Sequence, residues 1–190
     1  MIRPTVVENY DQFEPPPHFR GLLDELLDCV CPEHIAGLKT IVLTNRSALT
    51  RDQRRGKTWS RNHMVRLAHC RGWYQAATRT SPASIYLCMD NIAKSEKHGA
   101  HRIPILRYDA LGTVLYHEIG HHIHKVHRPE FRQRETVADD WSNRLFLRFL
   151  RLHYWYLMPL VYPVALYQRL LRLFHRRRLR PSILMQKYKG

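Results

Sequence analysis

Hydrophobic residues recur at helical spacing in residues 18–30, the first region of the chain with a clear apolar pattern. A period of three to four residues places them on one face of a helix. The positions concerned are Leu22, Leu23, Leu26, Leu27 and Val30. Two short apolar runs, 39–44 and 84–89, have the composition of strands and are bounded by turn-forming or polar residues. The pattern therefore predicts helix and sheet together, after an extended segment over 1–17.

Residues 45–82, between the two predicted strands, are polar and rich in arginine, and they show no clear period. A structureless loop of that length is unusual in a compact domain. We therefore expect some order within it, with a hairpin around Gly72-Trp73-Tyr74.

A second helical pattern begins at Asp109, a residue type that caps helix N-termini. Its apolar ridge, at a spacing of four, consists of Leu111, Leu115, Ile119 and Ile123. Pro129 disfavours helical geometry at Arg128, so this helix is predicted to end near His127. Proline is favoured at the first position of a helix, so a further helix is predicted from Pro129 to about Leu152.

Net charge is concentrated at one end of the chain. The 190 residues carry a formal charge of +15, and residues 142–190 hold eleven Lys and Arg but no Asp or Glu. Only +4 remains for residues 1–141. This asymmetry indicates an anionic partner for the tail, either a membrane surface or a nucleic acid, with a solvated basic tail as the alternative. The overall composition is that of a globular protein long enough for one domain with a core.

Cysteine usage and the N-terminus bear on the compartment. Cys29, Cys31, Cys70 and Cys88 form no C-x-x-C pair and no regular framework, which favours reduced thiols. The first ten residues lack the apolar run of a secretory leader. We therefore expect a cytoplasmic protein whose tail could contact the inner face of a membrane.

The chemistry-bearing motif is His117-Glu118-Ile119-Gly120-His121, an H-E-x-x-H run inside the second predicted helix. Two histidines four apart lie one turn above each other on the same face. That spacing suits two imidazoles binding one zinc ion, with the intervening Glu118 as general base. The run by itself is short, and the chain has thirteen histidines, so its surroundings decide its meaning.

A catalytic zinc usually takes three protein ligands and a water molecule, so a third ligand is needed. If the chain reverses near Arg128, Glu135 comes level with His121 on an antiparallel helix. Asp139, one turn beyond, faces the same way and could accept the ring N–H of His117. His127 is a competing third ligand because it follows His121 at the spacing of the metzincin pattern, although His124 occupies the position of that pattern's turn-forming glycine.

H-E-x-x-H followed by Glu-x-x-x-Asp resembles the zincin metallopeptidases, specifically the gluzincin branch, over residues 84–145 at most. The resemblance implies that His117, His121 and Glu135 bind zinc, that Glu118 is the base and that Asp139 supports a ligand. In that fold a sheet edge ahead of the zinc helix binds the substrate backbone as an added strand. Residues 84–89 are the segment that would match this edge.

The expected reaction is hydrolysis of a peptide bond in a protein or peptide substrate. Zinc would lower the pKa of a water molecule, and Glu118 would take its proton and pass it to the leaving amine. Gluzincins usually add an oxyanion-stabilising residue from a later segment; the candidates are His153, Tyr154 and Tyr156, for which packing roles are the alternative. His124 and His122 lie near the motif, as neighbours of the site or as ordinary packing and surface residues.

Seventeen residues without Asp, Glu, Lys or Arg, 152–168, follow Arg151. As a helix they would span roughly 26 Å, less than a bilayer core of about 30 Å, and arginines flank both ends. Residues 164–180 then alternate apolar and basic at helical spacing, which fits the interface of an anionic membrane. The alternatives are that 152–168 pack against the domain, or that the tail contacts nucleic acid, for which no motif is present.

Together these patterns predict an α+β, zincin-like fold: a small mixed sheet on the H-E-x-x-H helix and a following antiparallel helix. The predicted domains are a metallopeptidase domain over 1–150 and a basic helical extension over 151–190. The predicted function is zinc-dependent peptide hydrolysis. The rival hypothesis is a zincin-like binding or regulatory protein with a structural metal site, which contacts membrane or nucleic acid through its tail.

Overall fold

The computed structural model describes residues 3–60, 63–95, 106–127 and 134–159. The chain divides into two compact units, residues 1–149 and 150–190. In the second unit the end of the last helix is followed by a short 3-10 turn, Trp155–Leu157. The metallopeptidase domain over 1–150 and the basic helical extension over 151–190 stay predictions. The predicted interfacial helix over 164–180 lies outside the described residues.

The first unit contains both helices and strands, as expected for a mixed α and β protein. The helices are α1 (His18–Asp28), α2 (Arg51–Arg55), α3 (Met89–Ser95), α4 (Asp109–His127) and α5 (Arg134–His153), whose last residues belong to the second unit. The strands are β1 (Thr5–Asn9), β2 (Leu38–Thr44), β3 (Lys57–Ser60), β4 (His63–Arg66), β5 (Gly72–Gln75) and β6 (Ala83–Cys88). The predicted class, α+β with a small mixed sheet, is confirmed.

The main sheet has four strands in the order β1-β2-β6-β5. β1, β2 and β6 are parallel, with Ile41 opposite Ile85 and Leu43 opposite Leu87. β5 is antiparallel to β6 and forms an edge of the sheet as described. The central strand β6 is buried at all but one position and β2 at most of its positions, which accounts for their largely apolar sequences.

The expected edge at residues 84–89 is wrong, because β6 lies inside the sheet between β2 and β5. The chain after β4 returns to add β5 outside β6, and sequence order gave no sign of this. The edge strand nearest α4 is therefore Gly72–Gln75. A turn at Gly72-Trp73-Tyr74 is also wrong, because these residues form β5, which pairs antiparallel with the next strand, β6. A second antiparallel pair is β3–β4.

Residues 45–71, which we call the arginine-rich excursion, cover one face of the sheet. A small cluster of Leu49, Ala68, Trp73 and Cys88 is buried there. The Trp73 ring stacks on Tyr86, with centroids 4.7 Å apart. The Asn91 amide of α3 donates to the carbonyls of Ala68, at 3.2 Å, and Cys70, at 2.8 Å. The excursion is thus fixed to the sheet by packing and by side-chain hydrogen bonds.

The opposite face of the sheet packs on the helices. Ile41, Leu43, Ile85 and Leu87 are at most 2% exposed, as are Leu111, Leu115 and Ile119 of α4. The buried Tyr116 hydroxyl donates to the carbonyl of Leu26 at 3.0 Å and so joins α4 to α1. The predicted ridge of α4 therefore lies in the main core, and α4 begins and ends at the predicted residues.

Helix α5 is described from Arg134 to His153, and its end lies close to the predicted end at about Leu152. The predicted start at Pro129 and the turn near Arg128 lie outside the described residues. No helix within the described ranges is long and apolar enough to cross a membrane.

Candidate metal centre and active site

Helices α4 and α5 lie antiparallel and touch backbone to backbone at Gly120. A β-carbon at this glycine would lie 2.7 Å from the carbonyl oxygen of Ala138 and 2.8 Å from its α-carbon. Further along, the Ser142 hydroxyl donates to the carbonyl of Thr113 at 3.3 Å. Only a residue without a side chain permits such an approach. Gly120, inside the motif, therefore sets how closely α5 faces the histidines of α4.

Three donor groups, from His117, His121 and Glu135, meet between these helices, with their ligand atoms within 4.8 Å of one another. The two Nε2 atoms are 3.1 Å apart. Glu135 places Oε2 3.6 Å from Nε2 of His117 and Oε1 3.6 Å from Nε2 of His121. A tetrahedral zinc ion with bonds of about 2.0–2.1 Å separates its ligand atoms by about 3.3–3.4 Å. The three side chains therefore form a group that could hold a metal ion.

Access to this group remains open. The side chains of His117, His121 and Glu135 are 24%, 19% and 27% exposed, respectively. A structural metal site is closed by its protein ligands, whereas a catalytic site keeps a position for water or substrate. Among the described residues this group has three donors, one fewer than the four ligands of a closed structural zinc site.

Asp139 orients the first histidine. Its carboxylate accepts from Nδ1 of His117, with Oδ1 and Nδ1 3.1 Å apart. A neutral imidazole protonated at Nδ1 presents its Nε2 lone pair to the other donors. Burial lowers the pKa of His117, but the hydrogen bond to Asp139 and the charges of Glu118, Asp139 and Glu135 more than offset it, so the pKa is raised. The neighbouring carboxylates therefore favour the protonated, positively charged form of His117.

Glu118 lies on a neighbouring face of α4, because successive helical residues are about 100° apart. It is only 6% exposed. Burial raises the pKa of its carboxyl group to about 7, and the charge of Glu135 adds to this, while the His117 charge and the Tyr74 backbone N–H oppose it. A carboxyl group whose pKa lies near neutrality is suited to accept and return a proton.

Strand β5 runs along α4 and brings the Tyr74 backbone to Glu118. A β-carbon on Gly72 would lie 2.8 Å from Val114, so the strand passes close over the helix there. The Cys88 N–H donates to the Arg71 carbonyl at 2.8 Å. In an antiparallel ladder the bonding residues alternate, so the backbone groups of Gly72 and Tyr74 point to the outer edge. There the Tyr74 N–H lies near Glu118 and lowers the pKa of its carboxyl group.

His122 and His124 are both buried, with exposures of 1% and 4%. The alternative that His122 is an ordinary surface residue is therefore wrong. Its Nδ1 lies 3.2 Å from the Tyr74 hydroxyl, and its Nε2 lies 3.0 Å from the Ala36 carbonyl oxygen. His124 is a buried residue of α4.

The structure brings His117, His121, Glu135 and Asp139 together, with Glu118 beside them, and their roles as ligands, support and base stay predictions. His127 ends α4, but its side chain lies outside the described part, so the competition with Glu135 is not decided by distance. His153, Tyr154 and Tyr156 belong to the second unit, and their oxyanion role also stays a prediction.

Sequence reasoning missed Tyr74, which joins Glu118 through its backbone and His122 through its side chain. The signal available was a run of two aromatic residues after a glycine, and this run was interpreted as a turn. Comparisons with protein-family models, with curated proteins and with solved structures found no match to this chain.

Proposed function

We propose that this chain is a zinc-dependent metallopeptidase of the gluzincin type. The observation that carries the proposal is the spacing of 3.1–3.6 Å among the donor atoms of His117, His121 and Glu135, with buried Glu118 on the adjacent face of α4. A purely structural metal site has no need of an acid–base group beside it. Two imidazoles and one carboxylate are a ligand set that suits zinc.

The chemistry follows from the surroundings of each residue. When bound, zinc supplies Lewis acidity, which makes water more acidic and a peptide carbonyl more electrophilic. Glu118 accepts the proton of the attacking water and returns it to the leaving nitrogen. Burial raises the pKa of its carboxyl group to about 7, which suits a group that first accepts and then returns a proton.

The substrate backbone is proposed to bind along β5. The outward-facing groups of Gly72 and the outward-facing carbonyl of Tyr74 lie on the same side as Glu118, and the sheet has no further strand there among the described residues. An extended peptide can add to such an edge through main-chain hydrogen bonds. This binding mode gives affinity without strict side-chain requirements and presents the peptide bond beside Glu118.

The test combines metal analysis with hydrolysis of a mixture of quenched fluorescent peptides by wild type and by Glu118→Gln. Wild type should contain stoichiometric zinc and cleave the mixture. Glu118→Gln should retain zinc and lose about 10²–10⁴-fold of the activity, because general base catalysis is removed. Full activity in Glu118→Gln would exclude the base role.

Further variants identify the ligands. His117→Ala and Glu135→Ala should each lose stoichiometric zinc, whereas His127→Ala should retain it. Loss of zinc in His127→Ala with retention in Glu135→Ala would assign the third ligand to His127. Wild type that binds no metal would end the enzyme proposal, and wild type that binds zinc but cleaves nothing would favour a binding or regulatory protein.

A further inference from the structure

The buried polar contacts between α4 and β5 form a continuous series. His122 lies one helical turn after Glu118. The hydroxyl of Tyr74 contacts His122, and the backbone N–H of Tyr74 lies near Glu118. Two residues of strand advance about 6.7 Å, close to the 6 Å or so covered by four residues of helix. Strand β5 therefore runs in the same direction as α4, with Gly72 beside Val114 and the Tyr74 backbone beside Glu118.

The partners of His122 determine which ring nitrogen carries the proton. The Ala36 carbonyl can only accept, so Nε2, 3.0 Å away, must donate. In a neutral imidazole Nδ1 is then an acceptor, and the Tyr74 hydroxyl donates to it across 3.2 Å. Burial raises the pKa of Tyr74, so the hydroxyl keeps its proton. The ring contact between Tyr74 and His122, with centroids 5.4 Å apart, adds packing to the hydrogen bond.

The Ala36 carbonyl, which accepts the proton of His122, is also fixed in position. Ala36 precedes Gly37, whose φ of 82° is a left-handed conformation that glycine adopts readily. This angle helps to set the plane of the peptide that contains the Ala36 carbonyl. The acceptor of the His122 proton is therefore fixed by the turn that leads into β2.

We propose that His122 is a positioning residue, which holds the Tyr74 side chain and thereby fixes the edge strand β5 so that the Tyr74 N–H meets the Glu118 carboxylate. His122 contacts β5 through the Tyr74 side chain, and this contact is its proposed route to the site. The inference rests on the proposed function where it concerns catalysis. The hydrogen-bond series itself can be tested without any activity.

The first test is Tyr74→Phe, which removes only the hydroxyl and leaves the backbone N–H in place. In the full-length protein the amide of residue 74 should exchange with deuterium about fivefold faster or more, the expected effect of losing one hydrogen bond that orders the strand. Tyr86→Phe is the matched control, since Tyr86 lies on the adjacent strand and faces the excursion. Equal exchange in both variants would overturn the proposal.

The second test uses two substitutions at His122 that keep different halves of the imidazole. His122→Asn retains an acceptor at about the position of Nδ1, and His122→Gln retains a donor at about the position of Nε2. Slow exchange at residue 74 should survive in His122→Asn and be lost in His122→Gln. If His122 only filled space, amide exchange at residue 74 would be the same in His122→Asn and His122→Gln. Nitrogen NMR that placed the ring proton of His122 on Nδ1 rather than Nε2 would also contradict the proposal.

Activity gives the link to the reaction. With zinc bound and the quenched peptide mixture as substrate, His122→Gln and Tyr74→Phe should lower kcat about tenfold or more, on the scale of a misplaced catalytic group, with zinc retained. If these variants showed fast amide exchange at residue 74 but a normal kcat, the order of β5 would not matter for catalysis. That outcome would overturn the positioning role. Inactive wild type with the predicted exchange pattern would instead count against the proposed function alone.

Discussion

Two neighbouring faces of α4 use the same residue type in opposite ways. On one face, His117 and His121 are about one-fifth to one-quarter exposed and meet the carboxylates of α5. On the other, His122 is 1% exposed and meets a phenol and a backbone carbonyl under β5. The difference teaches that spacing along a helix selects the face, but the element opposite that face decides what a histidine can do.

The face toward α5 depends on the contact at Gly120, and Gly120→Ala should have the largest effect on it. A methyl group there would lie 2.7–2.8 Å from Ala138 backbone atoms, which cannot yield as a flexible side chain would. We expect α5 to move away, with a loss of stability of about 1–3 kcal/mol and weaker zinc binding. Urea unfolding and chelator competition measure the two effects.

Gly21→Ala is the matched control, since it lies in α1 with nothing within 4 Å of the added carbon. Because alanine favours helix, Gly21→Ala should stabilise the protein by about 0.5–1 kcal/mol. If Gly120→Ala left stability and zinc affinity unchanged, the backbones of α4 and α5 would not be in close contact at Gly120.

Asp139→Asn should weaken zinc binding about 10–100-fold, because the orienting carboxylate of His117 is replaced by an amide of the same shape. The face under β5 should be unaffected, so amide exchange at residue 74 should stay slow. Asp140→Asn, the next residue along the same helix and exposed, makes the same change in charge and should leave affinity unchanged. Equal affinities in the two variants would remove Asp139 from the metal site.

Tyr116→Phe should have the smallest effect, and it touches neither face. Its hydroxyl joins α4 to α1 through the Leu26 carbonyl, so its loss should cost about 1 kcal/mol of unfolding free energy. Zinc affinity and exchange at residue 74 should not change. A change in either, measured by the same competition and exchange experiments, would mean that the two faces of α4 are coupled through the core.

Local patterns predicted the helices well. The apolar ridge of α4 and the capping residue Asp109 predicted its bounds, and the leucine stripe predicted α1, because a helix buries one face at a fixed period. The opposition of Glu135 to His121 was also predictable, since equal distances from a chain reversal bring residues level on antiparallel helices. These features need only the sequence near each residue.

The edge strand could not be predicted in the same way. β5 has only four residues, and its place beside β6 is decided by contacts that are distant in sequence. Its inner side meets Val114 and His122, and its other side carries Trp73 onto Leu49 and Ala68. Alternation in so short a strand is a weak signal, and the arginine-rich excursion before it shows no period at all. The missed role of Tyr74 follows from this.

The backbone contact at Gly120 has a consequence for how the protein would acquire the proposed zinc ion. Since α4 and α5 meet without intervening side chains, the packing of the two helices sets the spacing of the candidate donor residues. Little ordering free energy would then be spent on binding, in contrast to small zinc domains whose folding and loading are a single event. We therefore expect the protein to fold without zinc and to release a bound ion to a chelator without unfolding.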